Sequence, residues 1–440
     1  MQYEISFLKS INYKKLGYFF FIIGIFFLCS SLFISLLFLL PALTIGSLIQ
    51  IKEKNVFKDK WSCSFFICGL LILLNALLQK FFLINNFASV WDSNLTLMGL
   101  ANWLPFFWLF WAFQPFLESA SKRKIFVISI ISGTLPLLIT GFGQYYFNWI
   151  GPFQTLNGLI IWYQKPIISP GGLSGLFSNQ NYAGSWLNLV WPFCIALIFE
   201  KTKGIFKKSI TISFLLSVCL ATFLTYSRNA WSGLILALPI VIGTQAIIWI
   251  GPLLFFLCII LIFYLTQSFP SEVIDSIKKY IPEKIYLEFA KEGYADLDIT
   301  RLEILKSALS LSTIRPFIGL GAASFTAIFA MQTNFYKGHS HNLLSELAIS
   351  YGLPVVFILF ISISSLLIKS GYLIFFKSEL LKNTPIDRAF WASIFIFLLS
   401  QLVDIQYFDG KISIVAWTLL SALKKIYDEK IYNQITFNND

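Results

Sequence analysis

Residues 17–51 read GYFFFIIGIFFLCSSLFISLLFLLPALTIGSLIQI, without one charged side chain. A helix needs about 20 apolar residues to cross a bilayer, so this run is long enough for two spans, which we divide at Ser30 and Ser31. Membrane-spanning β-strands have about ten residues of alternating polarity, whereas these runs of Phe, Leu and Ile do not alternate. The stretch therefore predicts membrane-spanning helices.

The rest of the chain has a similar composition. Hydrophobic residues make up 57% of it and charged residues 12%, which excludes a soluble globular protein. The six cysteines lie in apolar runs without a Cys-x-x-Cys pair, which indicates free thiols. We predict an all-α integral membrane protein with about twelve transmembrane helices and one large extracytoplasmic loop containing short helices. The predicted spans are 17–31, 33–51, 61–80, 99–118, 124–142, 181–200, 209–226, 230–245, 247–266, 350–368, 388–405 and 411–424.

The distribution of basic residues predicts the orientation. Every second connection is rich in Lys or Arg, and with a cytoplasmic N-terminus these segments hold 21 of the 33 basic residues. Basic residues in short loops stay on the cytoplasmic side, so both termini are predicted to be cytoplasmic. The net charge of +11 then reflects membrane orientation and implies no nucleic acid partner. The first apolar run is too long for a cleavable signal and lacks a small-residue cleavage site.

This topology divides the chain into three parts. Residues 1–266 form a membrane region of about nine spans, and residues 350–440 form a second one of about three spans with a cytoplasmic tail. Between them, 267–349 is the extracytoplasmic loop. A connection of this length usually carries function. Apolar residues at helical spacing in 271–292 predict amphipathic helices on the membrane surface.

A further loop helix is predicted to begin at Thr300. Thr300-Arg301-Leu302-Glu303 matches the capping-box pattern. Its predicted apolar face comprises Leu302, Leu305, Ala308 and Leu309. Arg301 then lies in the first helical turn, where free N–H groups and the helix dipole favour an anion. A guanidinium there binds phosphate, although a solvated Arg paired with an acidic neighbour is the alternative.

Three other polar features accompany Arg301. Arg228 interrupts two apolar runs at a predicted outer end, where it is either a functional residue or an interfacial anchor. The Pro316-x-x-Gly319-x-Gly321 turn allows close approach of the backbone. Gly338-His339-Ser340-His341-Asn342 supplies imidazoles suited to proton transfer near neutral pH. No Cys or further His accompanies the pair, so we predict no metal.

In combination these motifs resemble the O-antigen ligase/polymerase superfamily of bacterial membrane glycosyltransferases. The resemblance runs from about residue 170 to 370. The segment 175–181 resembles the family's Asn-Pro-Asn motif at the start of a span, except that Gln180 replaces the proline. The family implies a multi-pass enzyme of the bacterial inner membrane that takes part in cell-envelope and lipopolysaccharide biosynthesis.

The resemblance also implies the chemistry. The donor is a glycan on an undecaprenyl-diphosphate carrier, and a glycan, lipid or protein hydroxyl accepts it without a metal or other cofactor. Arg228 and Arg301 hold the donor diphosphate, and His341 acts at the reacting centre. His339, Asn342, Glu346 and Arg315 are weaker candidates. Ligase and polymerase activities need the same donor chemistry and stay undistinguished.

A transporter of small anions or other solutes is the alternative function. A transporter places ionisable groups near the middle of the bilayer, often on paired broken helices. The central parts of the predicted spans carry almost no acids or bases, and the chain shows no convincing internal repeat. The pattern therefore favours the enzyme, with membrane lipids and a lipid-linked glycan as its partners.

Overall fold

The structure is a computed structural model that describes residues 13–53, 59–82, 91–168, 171–200, 204–243, 251–252, 301–377 and 385–439. Helices dominate these ranges. They are α1 (Tyr13–Leu28), α2 (Leu32–Lys52), α3 (Lys60–Phe81), α4 (Asn94–Gly99), α5 (Leu104–Ala112), α6 (Ala120–Gly133), α7 (Leu135–Phe147), α8 (Gln180–Phe199), α9 (Ile205–Leu224), α10 (Arg228–Ile242), α11 (Arg301–Ile314), α12 (Ser324–Thr333), α13 (Leu343–Tyr351), α14 (Leu353–Gly371), α15 (Pro385–Ser400) and α16 (Gly410–Asn439).

Within the described ranges, seven helical stretches are long and apolar enough to cross a membrane. They are Leu32–Lys52, Lys60–Phe81, Asn94–Ala112, Ala120–Phe147, Gln180–Phe199, Ile205–Leu224 and Leu353–Phe376. The prediction of a helical membrane protein is thereby confirmed, whereas the number of twelve stays a prediction. Four other predicted spans fall on α1, α10, α15 and α16. The span 247–266 lies almost entirely outside the described residues.

The long apolar run 17–51 breaks where the sequence analysis divides it. Helix α1 ends at Leu28, and Ser31 caps α2 by accepting the N–H of Ile34 at 3.3 Å. The two helices pack against each other as a hairpin. Between them, the hydroxyl of Ser35 donates to the carbonyl of Gly24 at 2.7 Å. Such close approach is typical of small residues between membrane helices.

Helix α8 is the most buried of the seven candidate spans. It contacts α9, α10 and α15. Its 20 residues extend for about 30 Å, so the groups of side chains at its two ends lie far apart. The residues near Asn181 and the residues near Glu200 therefore belong to different ends of the protein.

The end near Asn181 also holds the 338–342 turn and the 400–409 segment, and we call it the histidine end. The end near Glu200 holds many salt bridges, and we call it the ion-pair end. There Lys14 and Lys122 each contact Glu118 at 2.8 Å. All these basic residues belong to segments that the charge pattern predicts to be cytoplasmic.

Two details of the membrane region differ from the sequence prediction. Helix α15 ends at Ser400, five residues before the predicted end of its span, and the chain continues as a loop to Gly410. The predicted outer connection 143–180 contains a two-stranded antiparallel sheet, Phe153–Thr155 with Ile160–Trp162, inside an otherwise helical fold. Single polar residues near a span end do not fix its last turn, and three-residue strands are too short to leave a sequence pattern.

The predicted extracytoplasmic loop contains α11, α12 and most of α13, while 271–292 lies outside the described residues. Helix α11 is described from Arg301 onwards, and its predicted start at Thr300 lies outside the described residues. Of its predicted apolar face, Ala308 is buried as expected, but two other residues are not. Leu302 and Leu309 are exposed, whereas Ile304, Ala308 and Leu311 form the buried stripe. Apolar residues occupy both faces of this helix, so periodicity alone does not identify the face that packs.

Candidate active site

The 338–342 turn is fixed to the 400–409 segment by backbone and side-chain bonds. Asn342 caps α13 by accepting the N–H groups of Leu344 and Ser345 at 3.0 Å. The side-chain amide of Asn342 also donates to the carbonyl of Leu402 at 3.0 Å. His341 lies immediately before this cap with a left-handed φ of 57°. The helix cap therefore holds the backbone that presents the imidazole.

Asp404 is the partner of that imidazole. Nδ1 of His341 lies 2.7 Å from Oδ1 of Asp404. The other carboxylate oxygen accepts bonds from the side-chain amides of Asn181 at 3.2 Å and Gln406 at 2.9 Å. With the carboxylate ionised, Nδ1 donates to it and the lone pair lies on Nε2. The arrangement is that of an oriented base.

The charge state of Asp404 agrees with this role. Its side chain is 10% exposed. Burial alone would raise the pKa of this carboxyl group, but the hydrogen bond and charge of His341 outweigh burial, with help from His339 and Arg301. The pKa of Asp404 is therefore lowered, and the group is a carboxylate at neutral pH.

His339 occupies a different electrostatic position. Its Nδ1 accepts the backbone N–H of His341 at 3.2 Å, and its Nε2 lies 4.0 Å from Asp404. Burial is the main cause that lowers the pKa of His339 to about 4, and the charge of His341 acts in the same direction. His339 is therefore neutral near pH 7 and a weaker base than an ordinary imidazole.

The two histidines and Asp404 also form a group that is able to hold a metal ion. One ligand atom from each residue lies within 4.8 Å of the others. The sequence argument against a metal counted only Cys and His ligands and overlooked this carboxylate. The donor set fits a divalent transition metal, so the predicted absence of a metal is a matter for experiment.

Arg301 lies at the same place. It is the first described residue of α11, and its Nη1 donates to the carbonyl of Val403 at 2.9 Å. The side chain is exposed, and its charge acts on both His339 and Asp404. A guanidinium has five N–H donors, so one bond to a carbonyl leaves its charge and most of its donors available.

Arg228 is the first residue of α10 and is half-buried. The next residue, Asn229, donates from its side chain to the carbonyl of Ser400 at 3.3 Å. Ser400 begins the loop that contains Val403 and Asp404. The start of α10, the start of α11 and the histidine turn thus all contact one short segment of chain.

The weaker candidates separate into two groups. Glu346 is buried next to the turn, and one of its carboxylate oxygens accepts the N–H of Ser340 at 2.9 Å. Burial raises the pKa of Glu346, although its bonds from Ser340 act in the other direction. Arg315 follows the 14-residue helix α11, so it lies about 20 Å along the helix axis from Arg301. This position does not join Arg315 to the histidine turn.

The glycine turn at 316–321 allows its backbone to pack closely against another backbone segment. Gly319 has a φ of 80°, and a Cβ there would lie 2.6 Å from the backbone of Ser350 and Tyr351. Leu353 donates its N–H to the carbonyl of Pro316 at 2.7 Å. The close approach inferred from the sequence is thus to the junction of α13 and α14.

Sequence reasoning missed Asp404, Asn181 and Gln406. Asp404 lies inside a predicted span. An acidic residue within a span indicates a functional site, so the sequence alone already pointed to Asp404. Asn181 was noted only as part of a span start. There Asn179 caps α8, and the side chain of Gln180, in place of the family's proline, accepts the N–H of Gly172.

The fold defines the general class of the protein, an all-α multi-pass membrane protein. Residues 212–360 match the family model described as O-antigen ligase, which confirms the resemblance to the O-antigen ligase superfamily. The matched segment runs from α9 into α14 and includes Arg228, Arg301 and His341. No curated protein matches the chain. Asn181 and Asp404 lie outside the matched segment.

Proposed function

We propose that the protein transfers a glycan from an undecaprenyl-diphosphate carrier to an acceptor hydroxyl on the outer face of the cytoplasmic membrane. The observation that carries the proposal is the 2.7 Å contact between His341 and Asp404 beside the guanidinium of Arg301. An oriented base next to a fixed cation suits transfer from a donor whose leaving group is an anion.

On the donor side, Arg301 and Arg228 bind the diphosphate. Arg228 is the first residue of α10, where N–H groups and the helix dipole add to the positive charge. Arg301 is predicted to lie in the first turn of α11, where the same groups would act. Negative charge grows on the leaving diphosphate as the bond from the anomeric carbon to the phosphate oxygen breaks. Guanidinium groups stabilise this charge without a metal, by bidentate hydrogen bonds.

On the acceptor side, His341 is the base and Asp404 positions it. The acceptor oxygen forms the new bond to the anomeric carbon while its proton passes to Nε2 of His341. The imidazolium that forms is stabilised by the carboxylate at 2.7 Å. The proton then passes from His341 to water, and undecaprenyl diphosphate leaves as the second product.

The placement on the outer face rests on the charge pattern. Segments rich in Lys and Arg, which remain cytoplasmic in membrane proteins, lie at the ion-pair end. The histidine end is at the far side of α8, about 30 Å away. A lipid-linked donor exposed at the outer face would meet the histidine end.

The test is transfer by the purified chain in nanodiscs, with a defined lipid-linked glycan and several acceptors. We expect Arg301→Ala and His341→Ala each to lower transfer by at least about a hundredfold. Lys306→Ala is the matched control, because Lys306 is an exposed cation on the same helix as Arg301, and it should retain transfer within about threefold. Undiminished transfer by Arg301→Ala would contradict the proposal.

Two further measurements sharpen the result. A chelator should leave transfer unchanged, and a loss that a divalent cation restores would assign His339, His341 and Asp404 to a metal. Uptake of a labelled small anion into proteoliposomes, with no glycan transfer, would favour a transporter instead.

A further inference from the structure

The connection that follows α7 carries a dense group of exposed apolar side chains. Between 146 and 168 the exposed fractions of these residues run from 40% for Ile161 to 73% for Ile168. Lys165 is the sole charged residue between 143 and 168. The sequence predicts this connection to lie outside the membrane helices, so contact with lipid is not implied by the helices themselves. An exposed apolar patch of this kind marks a contact surface.

The turn of the two-stranded sheet is the most unusual part of this surface. We call the sheet and its turn, residues 153–162, the β-hairpin. Leu156, Asn157 and Gly158 have left-handed φ values of 50°, 53° and 86°. Asn and Gly adopt this conformation readily, whereas Leu adopts it with strain. Leu156 is nevertheless 56% exposed. A strained and exposed leucine gains little from packing within the chain, which indicates a use outside it.

Hydrogen bonds place the β-hairpin where membrane helices end. The indole Nε1 of Trp162 donates to the carbonyl of Ser30 at 2.6 Å, between α1 and α2. The side-chain amide of Gln164 donates to the carbonyl of Trp149 at 2.7 Å, just after α7. The candidate spans Leu32–Lys52 and Ala120–Phe147 therefore each have an end beside the β-hairpin.

The aromatic residues around the β-hairpin are of the type found at a bilayer surface. Trp149 and Tyr163 are exposed on either side of it. Trp and Tyr are enriched where membrane helices meet water, because each combines an apolar ring with a polar group. The position and the composition of the β-hairpin thus both agree with the lipid–water interface.

Fluid lipid suits this surface better than a second protein does. Successive residues of a strand point to opposite faces, and Ile160 is buried while Ile161 is exposed. Leu156 and Leu159 are exposed in the turn, and Phe147 is exposed before the sheet. A protein partner covers one face, whereas these apolar groups occur on the outer face, at the turn and on the preceding helix. Lipid chains can surround such a shape.

We propose that the β-hairpin is a membrane anchor, with Leu156 and Leu159 inserted into the lipid leaflet on the side of the histidine end. The anchor also reaches the Arg228 region, because the hydroxyl of Tyr145 in α7 contacts that of Tyr226 at 2.8 Å. The β-hairpin therefore holds this end of the protein at a fixed depth in the bilayer. The inference concerns position alone and does not depend on glycan transfer.

The first experiment measures which phase surrounds the turn. Leu156→Cys and Leu159→Cys are each labelled with a nitroxide in the full chain in nanodiscs. Power saturation compares collisions of the label with O₂, which concentrates in lipid, and with a nickel chelate, which stays in water. Leu216→Cys, exposed on the candidate span α9, is the lipid control, and Lys337→Cys, exposed before the histidine turn, is the water control. Unmutated protein labelled in parallel gives the background from native cysteines.

We expect collisions with O₂ to exceed those with the nickel chelate at both turn positions, as at Leu216, and the reverse at Lys337. Higher collision rates with the nickel chelate at the turn would show that it lies in water. Low rates with both reagents would show that a protein, such as a second copy of the chain, covers it. Either result would overturn the inference.

A second experiment tests whether the two leucines hold the β-hairpin in lipid. A nitroxide at Ile161→Cys reports on variants in which both Leu156 and Leu159 are replaced by Asp or, as the matched control, by Met. Because a carboxylate is costly in lipid, the ratio of O₂ to nickel-chelate collisions should fall at least about threefold with Asp. With Met, which is apolar and similar in size, the ratio should stay within about 1.5-fold. An unchanged ratio in the Asp variant would refute the anchor.

Discussion

The two ends of the molecule handle charge differently. At the ion-pair end, Arg123 is 2% exposed, bonds to Glu429 and lies 3.9 Å from Asp387, which also contacts Lys430 at 3.2 Å. At the histidine end, the buried Asp404 bonds to an imidazole and two neutral amides. Direct ion pairs hold helices together, and each charge in them is neutralised by its partner. A carboxylate held by an imidazole keeps that imidazole ready to exchange a proton.

This difference separates stability from chemistry. Removing one partner of a buried ion pair leaves an uncompensated charge and destabilises the fold. Removing the partner of a proton-transfer group mainly changes a rate, because the imidazole loses its orientation. Substitutions at the two ends should therefore have separable effects.

The largest effect is expected for Asp404→Asn. The amide is similar in size but no longer stabilises an imidazolium or fixes the tautomer of His341, so transfer should fall by about 10² to 10⁴-fold. Rates of glycan transfer in nanodiscs measure this. Glu200→Gln, which removes a carboxylate paired with Lys124 at the ion-pair end, should keep transfer within about twofold. Equal losses in both variants would remove the contrast between the ends.

Arg123→Met should act on stability. The substitution leaves Asp387 and Glu429 without this guanidinium, and the expected cost is about 3–5 kcal/mol. Thermal unfolding in detergent should show a clearly lower midpoint, while transfer per folded molecule stays near the wild-type value. A variant of normal stability with a large loss of transfer would show that the ion-pair end also takes part in the chemistry.

The smallest effect concerns pH and His339. The pKa of His339 is about 4 in the folded protein, against an ordinary value of 6.5. The unfolded chain therefore binds a proton first as the pH falls, and stability on the order of 3 kcal/mol is lost between about pH 6.5 and pH 4. In His339→Asn this loss is absent, so the variant should gain stability relative to the wild type as the pH falls through that window.

Unfolding midpoints of both proteins across pH 7 to 4 measure this gain. Asp404, whose pKa is also lowered, destabilises both proteins in acid. Because His341 lowers this pKa more than His339 does, most of the contribution of Asp404 cancels in the difference. A difference in midpoint that is independent of pH would contradict the assignment of a neutral, buried His339.

The sequence predicted the features that follow from local composition. The break at Ser31 and the helical membrane class depend on short-range patterns, and the structure confirms them. The pairing of His341 with Asp404 joins residues 63 positions apart, and no local pattern encodes such a contact. A span predicted from hydropathy also tolerates one acidic residue near its end, which is why Asp404 was overlooked.

The sequence also did not identify which face of a helix packs against the rest of the protein. In water an apolar stripe marks the face that packs, but next to lipid an exposed face is apolar as well. On α11 the apolar side chains of Leu302 and Leu309 are exposed, and Ile304 and Leu311 could be identified as buried only from the three-dimensional packing. The roles of Arg228, Arg301 and His341 stay predictions that the proposed experiments test.

The left-handed backbone of His341 restricts how this residue can be replaced. Asparagine tolerates that conformation better than most other residues with a side chain, whereas alanine adopts it only with strain. An alanine variant thus combines loss of the imidazole with distortion of the first turn of α13. Asparagine removes the imidazole but retains the left-handed backbone conformation. The difference in transfer rate between the alanine and asparagine variants therefore measures how much this backbone conformation contributes to catalysis.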